Sequence, residues 1–590
     1  MPSITQLPKT FPKSFHGLSP NSLGGPKFLD GKKWWHRVEW EVILLAGMVA
    51  AIYLVRLPDM SIRGEESRWA TVAMEMVRSG DWVIPRQQGE PFLSRPPLGS
   101  WLIAACSLLR GDCDVWAIRL PSIAAILLTS LLIYGYSRLF LSRLGALTAG
   151  IAFATMGQVL QLGRVGETEA VFTFLVSASL LVWHWGYVKQ WPSSWMWMAG
   201  YGLSALGALA KGPQAPIYFV AVTSIFLLLR QDWRRLVRWS HLAGVGIFAA
   251  IIASWQIPFF LKMGWSGVHA VWASDTAMRI WEISPIEVAK HLVTYPLEVL
   301  GCTLPWSLFL LLFFSRMMRR EIGSAWSMVL FLTTCLVVTF HSCWIIPGAH
   351  GRYFMPLFPC MAPMIGLVVE RCVTADSDFL LQRIWRASLG GLSLIMVGLV
   401  LAIMSASWLG FPRTSLFIQE RSFSLLYAVF AAVLAAFLWW QKSWVPTTLP
   451  TLRIYGLAGA CAAAGFLGLT YDTVVLNFIV RKNGPAAEQV ASLKERLPQG
   501  QALISFGPIH HLFAFHFHVP IERQDWPITE TTLPGQKDYF CFDRNRSQAI
   551  PFAWEEIAAI SCDRDRTDNP DEVVIVGRRI IHSDPGNDPK

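Results

Sequence analysis

The chain has 590 residues, of which 53% are hydrophobic, 15% are charged and 28 are tryptophan. A soluble domain carries about 25% charged residues, so this composition, with its apolar residues in long blocks, excludes an ordinary soluble protein and indicates a polytopic helical membrane protein. The formal net charge of +10 does not indicate nucleic-acid binding, because the Lys and Arg residues are spread over short loops between apolar blocks, as the positive-inside bias leaves them.

The N-terminal segment 1–39 is rich in Pro, Gly, Ser and Lys, and we expect a disordered, basic cytoplasmic arm. The first apolar run ends without a small-residue cleavage site, which predicts an uncleaved membrane helix. The apolar blocks predict a transmembrane domain over 40–478 with about thirteen spans, at about 40–57, 116–137, 144–162, 170–188, 195–210, 214–229, 241–260, 293–314, 325–341, 354–370, 388–407, 424–441 and 454–475.

The loop 58–115 lies between the first two predicted spans and carries many charged residues. A bilayer cannot hold so many charges, so the loop must lie outside it, and its short apolar segment at about 101–109 is expected outside or at the interface. Basic clusters after the second, sixth, eighth and tenth spans fall on one side of the membrane. This pattern predicts a cytoplasmic N-terminus and an extracytoplasmic tail.

The tail 479–590 is polar and is predicted to form a small extracytoplasmic α/β domain. Glu488 to Leu497 is typical of an amphipathic helix, and the stretches 501–507, 538–542 and 572–580 are typical of short strands. Cys541 and Cys562 form either a disulfide or two unpaired thiols. The stretch 510–518 contains four His residues, and on a strand His516 and His518 would share a face, although no Cys or carboxylate completes a zinc set.

Four outer segments bring ionisable residues to one face of the membrane. They are the loop 58–115, the turn after the third span, the outer end of the fifth span and the loop after the ninth span, and they supply Glu65, Glu66, Arg68, Arg95, Arg164, Glu167, Glu169, Lys211, His341, His350, Arg352 and Tyr353. Cations and carboxylates together suit a phosphate-bearing substrate and acid–base chemistry. Ordinary interface anchoring by Arg, Lys and Trp is the alternative for any one of them.

Several motifs in the chain occur in the order found in one enzyme family. Residues 65–70 (EESRWA), 79–85 (SGDWVIP) and 95–98 (RPPL) are followed by 117–121 (AIRLP), 210–213 (AKGP), 304–307 (LPWS) and 352–357 (RYFMPL). This series resembles the GT-C glycosyltransferases that use lipid-linked sugars, in the bacterial branch of the lipid A aminoarabinose transferases and the relatives of protein O-mannosyltransferases. The resemblance covers about 40–370 well.

The resemblance implies roles for individual residues. The family's first loop carboxylate, usually Asp, corresponds to Glu65, and its second acid, again usually Asp, corresponds to Glu169, while Glu66 and Glu167 compete for these roles. The residues implied in substrate binding are Arg68, Arg95, Arg164, Lys211, Arg352 and Tyr353. Ser94 stands where lipid A aminoarabinose transferases often carry a Glu of a proposed metal site, so no metal ligand is assigned and a divalent metal ion is left open as a cofactor.

The function implied by the resemblance is transfer of a sugar from a polyprenyl-phosphate donor to a lipid or protein acceptor at the outer face of a bacterial inner membrane, with a loop carboxylate as base. No Gly-rich dinucleotide signature follows a predicted strand, so no nucleotide-sugar site is expected. A transporter or flippase of a lipid-linked or anionic substrate is one alternative, although the sequence has no evident inverted repeat. A non-catalytic relative that binds lipid-linked sugar is another, because Glu replaces both usual Asp residues.

Overall fold

The structure, a computed structural model, describes residues 39–277, 284–374, 379–408, 421–444, 450–476, 486–498, 501–527, 538–546, 548–562 and 572–580. The predicted arm therefore lies outside the described residues up to position 38. The α-helices are α1 (Trp40–Leu54), α2 (Glu66–Ser79), α3 (Leu98–Arg110), α4 (Val115–Ser137), α5 (Arg143–Ala154), α6 (Gly157–Leu162), α7 (Thr168–Val188), α8 (Ser193–Lys211), α9 (Gln214–Leu229), α10 (Trp239–Ala277), α11 (Pro285–Cys302), α12 (Ser307–Leu310), α13 (Arg316–Glu321), α14 (Trp326–Trp344), α15 (Phe358–Thr374), α16 (Phe379–Trp408), α17 (Arg421–Trp444), α18 (Pro450–Thr470), α19 (Ala486–Arg496) and α20 (His511–Phe517).

The membrane domain is a helical bundle with one continuous apolar core, to which α1, α4, α5, α7, α8, α14 and α15 contribute. Nine helical segments in the described part of the chain are long and apolar enough to span a membrane, and the bent pair α11–α12 could add a tenth. The multi-pass helical architecture is thus confirmed, whereas the count of about thirteen spans is not. Helices α5 and α9 lie in two of the predicted spans but are shorter and are not counted among the nine.

Two of the predicted spans are interrupted where their breaks meet. The predicted span 144–162 breaks between α5 and α6, and the predicted span 293–314 bends by 116° between α11 and α12. Gly157 donates its N–H to the Leu304 carbonyl at 3.2 Å, and the Trp306 indole donates to the Thr155 hydroxyl at 2.9 Å. Each break therefore hydrogen-bonds to polar groups of the other break. Irregular backbone inside the bundle is tolerated where its polar groups are bonded in this way.

The loop 58–115 folds into a compact unit on α2 and α3. Trp69, Ala70 and Ala73 form the buried face of α2. The helix ends at Gly80, whose φ of 69° is left-handed and whose N–H bonds the Met76 carbonyl. A short hairpin of β1 (Arg86–Gln87) and β2 (Glu90–Pro91) follows it. The loop is thus an ordered platform that fixes the start of α2.

The C-terminal unit is a five-stranded mixed sheet with α19 and α20 packed beside it. Its strands are β3 (Ile504–Phe506), β4 (Glu522–Gln524), β5 (Tyr539–Asp543), β6 (Trp554–Ser561) and β7 (Val573–Arg579), in the order β4-β3-β5-β7-β6. The pairs β3–β4 and β3–β5 are parallel, and the pairs β5–β7 and β6–β7 are antiparallel. The predicted helix, the three predicted strands and the small α/β unit are confirmed.

The structure also decides two finer points of this unit that the sequence left open. Cys541 and Cys562 are both buried and are free thiols. The stretch with four His residues is not a strand, since α20 covers 511–517 and His518 ends it with a left-handed φ of 64°. The Phe residues of this stretch pack on two sides of a short helix, so the condition under which His516 and His518 would share the face of a strand is not met.

Candidate functional site

The centre of the candidate site is an ion pair between the first turn of α7 and the last turn of α8. Lys211 Nζ lies 2.8 Å from Glu169 Oε1, and the two side chains are only 12% and 6% exposed. A carboxylate near a helix N-terminus and an ammonium near a C-terminus both agree with the helix dipoles. Gly212, with a φ of 124°, lets the chain turn sharply after Lys211.

Two arginines flank this ion pair. The Arg95 guanidinium donates to the Thr168 hydroxyl at 2.7 Å and lies 5.5 Å from the ring centre of Trp69. Arg352 lies in the 3₁₀ helix Gly351–Leu357, and its guanidinium is 5.4 Å from the centre of the Tyr353 ring. Both guanidinium groups interact favourably with the charge of Glu169. The structure therefore gathers cations from three separate segments around one carboxylate.

Tyr353 joins the two cationic sides of the cluster. Its ring centre lies 5.6 Å from Lys211 Nζ, in addition to its contact with the Arg352 guanidinium. The π face of an aromatic ring attracts a nearby cation, so the Tyr353 ring interacts favourably with both groups. The arrangement leaves a concentration of positive charge that a phosphate can use.

Glu65 lies directly before α2, and its backbone contacts Glu167, which directly precedes α7 and the cluster residue Glu169. The Glu65 carboxylate pairs with Arg68 at 2.5 Å, and both side chains are 35% exposed. The Glu65 N–H donates to the Glu167 carboxylate at 3.4 Å. The start of the outer loop thus touches the start of α7, two residues from Glu169.

Glu66 has a different environment from Glu65. Its carboxylate is fully buried and accepts from Arg119 at 2.8 and 2.9 Å, from the Gly166 N–H at 2.7 Å and from the Arg63 N–H at 2.9 Å. Burial acts to raise the pKa of Glu66, but Arg119 and the two backbone N–H groups hold the pKa below its ordinary 4.5. With its oxygens engaged in this way, Glu66 positions the loop against α4.

Arg164 also lies in a structural setting. Its guanidinium is buried and donates to the Asp472 carbonyl at 2.9 Å and to the Val55 carbonyl at 3.3 Å. These bonds tie the turn before α7 to the ends of α1 and α18. The contacts favour an architectural role over the substrate contact that the sequence suggested.

Glu167 is the residue whose importance the sequence understated. It faces Glu169 and Glu66 among the carboxylates and Arg352 among the cations, and it bonds the Glu65 backbone. Burial, followed by the charges of Glu169 and Glu66, raises the pKa of Glu167 to about 7. The signal in the sequence was the close spacing of two acids at 167 and 169, where one must pair with the lysine and the other is held near like charge.

Replacing Glu167 by Gln is expected to change how stability depends on pH. A carboxyl whose folded pKa lies above its ordinary 4.5 stabilises the fold below about pH 4.5, and that contribution is lost as the pH rises through about 7. The Tm of the wild-type protein relative to the Glu167→Gln variant should therefore fall by a few degrees between pH 4.5 and 7.5. Thermal unfolding in detergent across this range checks it, and parallel curves for the two proteins would refute the assignment.

Metal binding was left open by the sequence. Among the residues that the structure describes, no group of three or more His, Cys, Asp and Glu side chains is arranged to hold a metal ion. His516 and His518 do not form such a group with neighbouring ligands, and His518 instead lies 3.2 Å from Asp112. The candidate site is therefore described without a metal.

The sequence and the fold of the chain are similar to those of known transferases. The family described as dolichyl-phosphate-mannose-protein mannosyltransferase matches residues 94–257. An undecaprenyl phosphate-alpha-4-amino-4-deoxy-L-arabinose arabinosyl transferase from Pseudomonas paraeruginosa is 26% identical over 390 residues, which are 63% of this chain and 65% of that protein. The corresponding transferase from Aeromonas salmonicida is 27% identical over 350 residues, or 58% of this chain and 62% of that protein. These alignments span slightly less than two thirds of each relative.

The structural likeness extends over almost the whole chain. The crystal structure of ArnT from Cupriavidus metallidurans bound to undecaprenyl phosphate superimposes with a TM-score of 0.66 at 18% identity, covering 92% of this chain and 98% of that chain. The chain therefore has the GT-C glycosyltransferase fold. Among proteins with this fold, the chain is similar to the aminoarabinose transferases and, over residues 94–257, to the family of protein mannosyltransferases.

Proposed function

We propose that the chain is a glycosyltransferase that moves a sugar from a polyprenyl-phosphate donor to a lipid or protein acceptor at the outer face of the inner membrane. The observation that carries the proposal is the convergence of Arg95, Lys211 and Arg352 around Glu169, next to Glu65 at the start of α2. Cations at a partly enclosed site suit a phosphate that gains charge as it leaves. The lipid-linked donors in the names of the related transferases support the same donor class.

The roles follow from the charges. Arg95, Lys211 and Arg352 hold the donor phosphate, Tyr353 contacts two of these cations, and Glu169 fixes the ammonium of Lys211. Glu65 takes the proton of the acceptor hydroxyl, whose oxygen bonds to the sugar carbon as the bond from that carbon to the phosphate oxygen breaks. The polyprenyl phosphate leaves with the bonding electron pair. Arg68 orients Glu65 through their ion pair.

Arg164 and Glu66 are assigned to support instead of chemistry. Both are buried; Arg164 donates to two backbone carbonyls, and Glu66 accepts from Arg119 and from two backbone N–H groups. We propose that the N-terminus is cytoplasmic, because this orientation sets the loop 58–115 and the C-terminal unit on the outer side together with the site.

Removal of the Lys211 charge is expected to weaken donor use. Lys211→Gln leaves the buried Glu169 carboxylate without its ammonium partner and removes a phosphate contact, so kcat/KM for the donor should fall by about 10²- to 10³-fold. Lys211→Arg keeps the charge and should lose less. Lys262→Gln is the matched control. Lys262 also forms an ion pair, with Asp81 at 3.0 Å, but its side chain is exposed, so the change should leave donor use unaltered.

The proposal is tested in cells by lipid analysis of a strain that lacks this chain. Loss of one sugar from the outer-membrane glycolipids or from surface proteins, restored by the wild-type chain and not by Lys211→Gln, is the expected result. Accumulation of the undecaprenyl-linked sugar on the inner leaflet would instead support a flippase. An unchanged sugar content of both lipids and proteins would support a non-catalytic relative.

A further inference from the structure

The helix α20 of the C-terminal unit belongs to two apolar cores at once. Phe513 and Phe517 stack at 5.7 Å and are buried in the core of the C-terminal unit with Val490 and Leu493. Phe515, which points to the other side, is buried in the core of the outer loop with Trp69 and other residues of α2 and α3. Alternate aromatic residues on one short helix thus pack into both units, and burial of these large apolar side chains holds the two units together.

Polar contacts run alongside this apolar contact. The His511 Nδ1 and the Ser67 hydroxyl are hydrogen-bonded at 2.6 Å, and both residues are buried. The Ile509 N–H donates to the Gln88 side chain at 3.1 Å, and Arg78 donates to the His518 carbonyl at 2.7 Å. The segment 509–518 therefore holds α2 at both of its ends and also holds the hairpin that follows.

The buried bond to Ser67 lies at the sensitive end of α2. Ser67 is the second residue of that helix and follows Glu66 directly, while Glu65 precedes the helix. Since the bond is buried, loss of one partner leaves the other polar group unsatisfied, and the helix start must shift or admit water. A displacement of about 1 Å at a reacting group can cost about 10²-fold in rate.

We infer that the C-terminal unit is part of the catalytic apparatus, and that His511 is a positioning residue which fixes the proposed base Glu65 through its bond to Ser67. This inference rests on the proposed function. It assigns to the His-rich stretch a role that needs no metal, because His511 is used as a buried hydrogen-bonding side chain.

The test compares two changes of His to Phe on the same helix. His511→Phe keeps an aromatic ring and removes the bond to Ser67, and it should lower kcat by about 10- to 100-fold while KM for the donor changes less than threefold. Ser67→Ala should have a similar effect, and the double variant should be no worse than either single variant. Within the described residues, His516 makes no hydrogen bond to α2, so His516→Phe should keep the wild-type kcat. His511→Asn can still bond to Ser67 and should retain most of the wild-type kcat.

Hydrogen exchange separates this inference from the proposed function. Amides of residues 65–72 should exchange faster in His511→Phe than in the wild-type chain, whereas those of β5 and β7 should not change. If the wild-type chain transfers no sugar, the proposed function fails and the catalytic part of the inference fails with it, whereas faster exchange in this segment would still show that His511 holds the start of α2. Wild-type exchange and wild-type kcat in His511→Phe would overturn the inference, as would an equal loss of kcat in His516→Phe.

Discussion

Glu65→Gln is expected to lower the rate of sugar transfer by about 10²- to 10⁴-fold, the range typical of losing a general base. Gln keeps the size and the hydrogen-bonding capacity of Glu but cannot take a proton. The cations that hold the donor remain, so the Kd for undecaprenyl phosphate should stay within a few fold of that of the wild-type protein. Steady-state transfer and lipid binding, measured on the same purified sample, give the two values.

Two controls sharpen this result. Glu65→Asp restores the residue usual in the resembling family and keeps the carboxylate, so it should retain far more activity than Gln despite the shorter side chain. Glu90→Gln changes an exposed carboxylate in the hairpin of the same loop and should have no effect. Equal activities of Glu65→Gln and Glu90→Gln would remove Glu65 from the chemistry.

Arg119→Met is expected to have the largest effect on stability. Glu66 and Arg119 are both fully buried, and removal of one partner of a buried pair leaves an uncompensated charge that costs about 3–5 kcal/mol. The loss should be partly recovered in the double variant with Glu66→Gln, because the orphaned charge is then removed. Thermal unfolding of each variant in detergent measures these differences in stability.

An exposed ion pair provides the reference for this prediction. Arg110 and Asp114 lie 2.5 Å apart, but their side chains are 40% and 33% exposed, so Arg110→Met should cost at most about 1 kcal/mol. If Arg119→Met unfolds at the wild-type temperature, Glu66 is not the buried anchor described above. Its assignment to support instead of chemistry would then be wrong.

Hydropathy predicted the class of fold, and the candidate site residues were chosen from the placement of charges together with the resembling motifs. Charges cannot lie in hydrocarbon, so Glu65, Glu169, Lys211 and Arg352 had to lie at one outer face or in a protein interior. The sequence could not predict which charges would pair. Arg119 was part of a recognised motif, and as an Arg at the start of an apolar helix it needed a buried partner, but nothing local identified Glu66 as that partner.

The departures from the predicted spans arise from tertiary contacts. Hydropathy is continuous through Thr155 and through Leu304, so hydropathy alone does not indicate either break, although Pro305 disfavours a helical conformation at Leu304. The breaks are stable because Gly157 and Trp306 donate across to the opposite break. In the same way, the alternating Phe residues of 513–517 are typical of a strand, and only the presence of two cores, one on each side, makes a helix the better solution.

The central claim, that the chain transfers a sugar from a polyprenyl-phosphate donor, is tested most directly by single-turnover transfer with purified protein in detergent. Undecaprenyl-phosphate aminoarabinose is mixed with the wild-type chain and a lipid A acceptor, and both lipids are followed by mass spectrometry. We predict loss of the sugar from the donor and an equal gain on the acceptor, both slower with Glu65→Gln by the factor given above. Donor that binds with the affinity of a substrate but stays intact with the wild-type chain, for this sugar and for other undecaprenyl-phosphate sugars and acceptors, would contradict the claim.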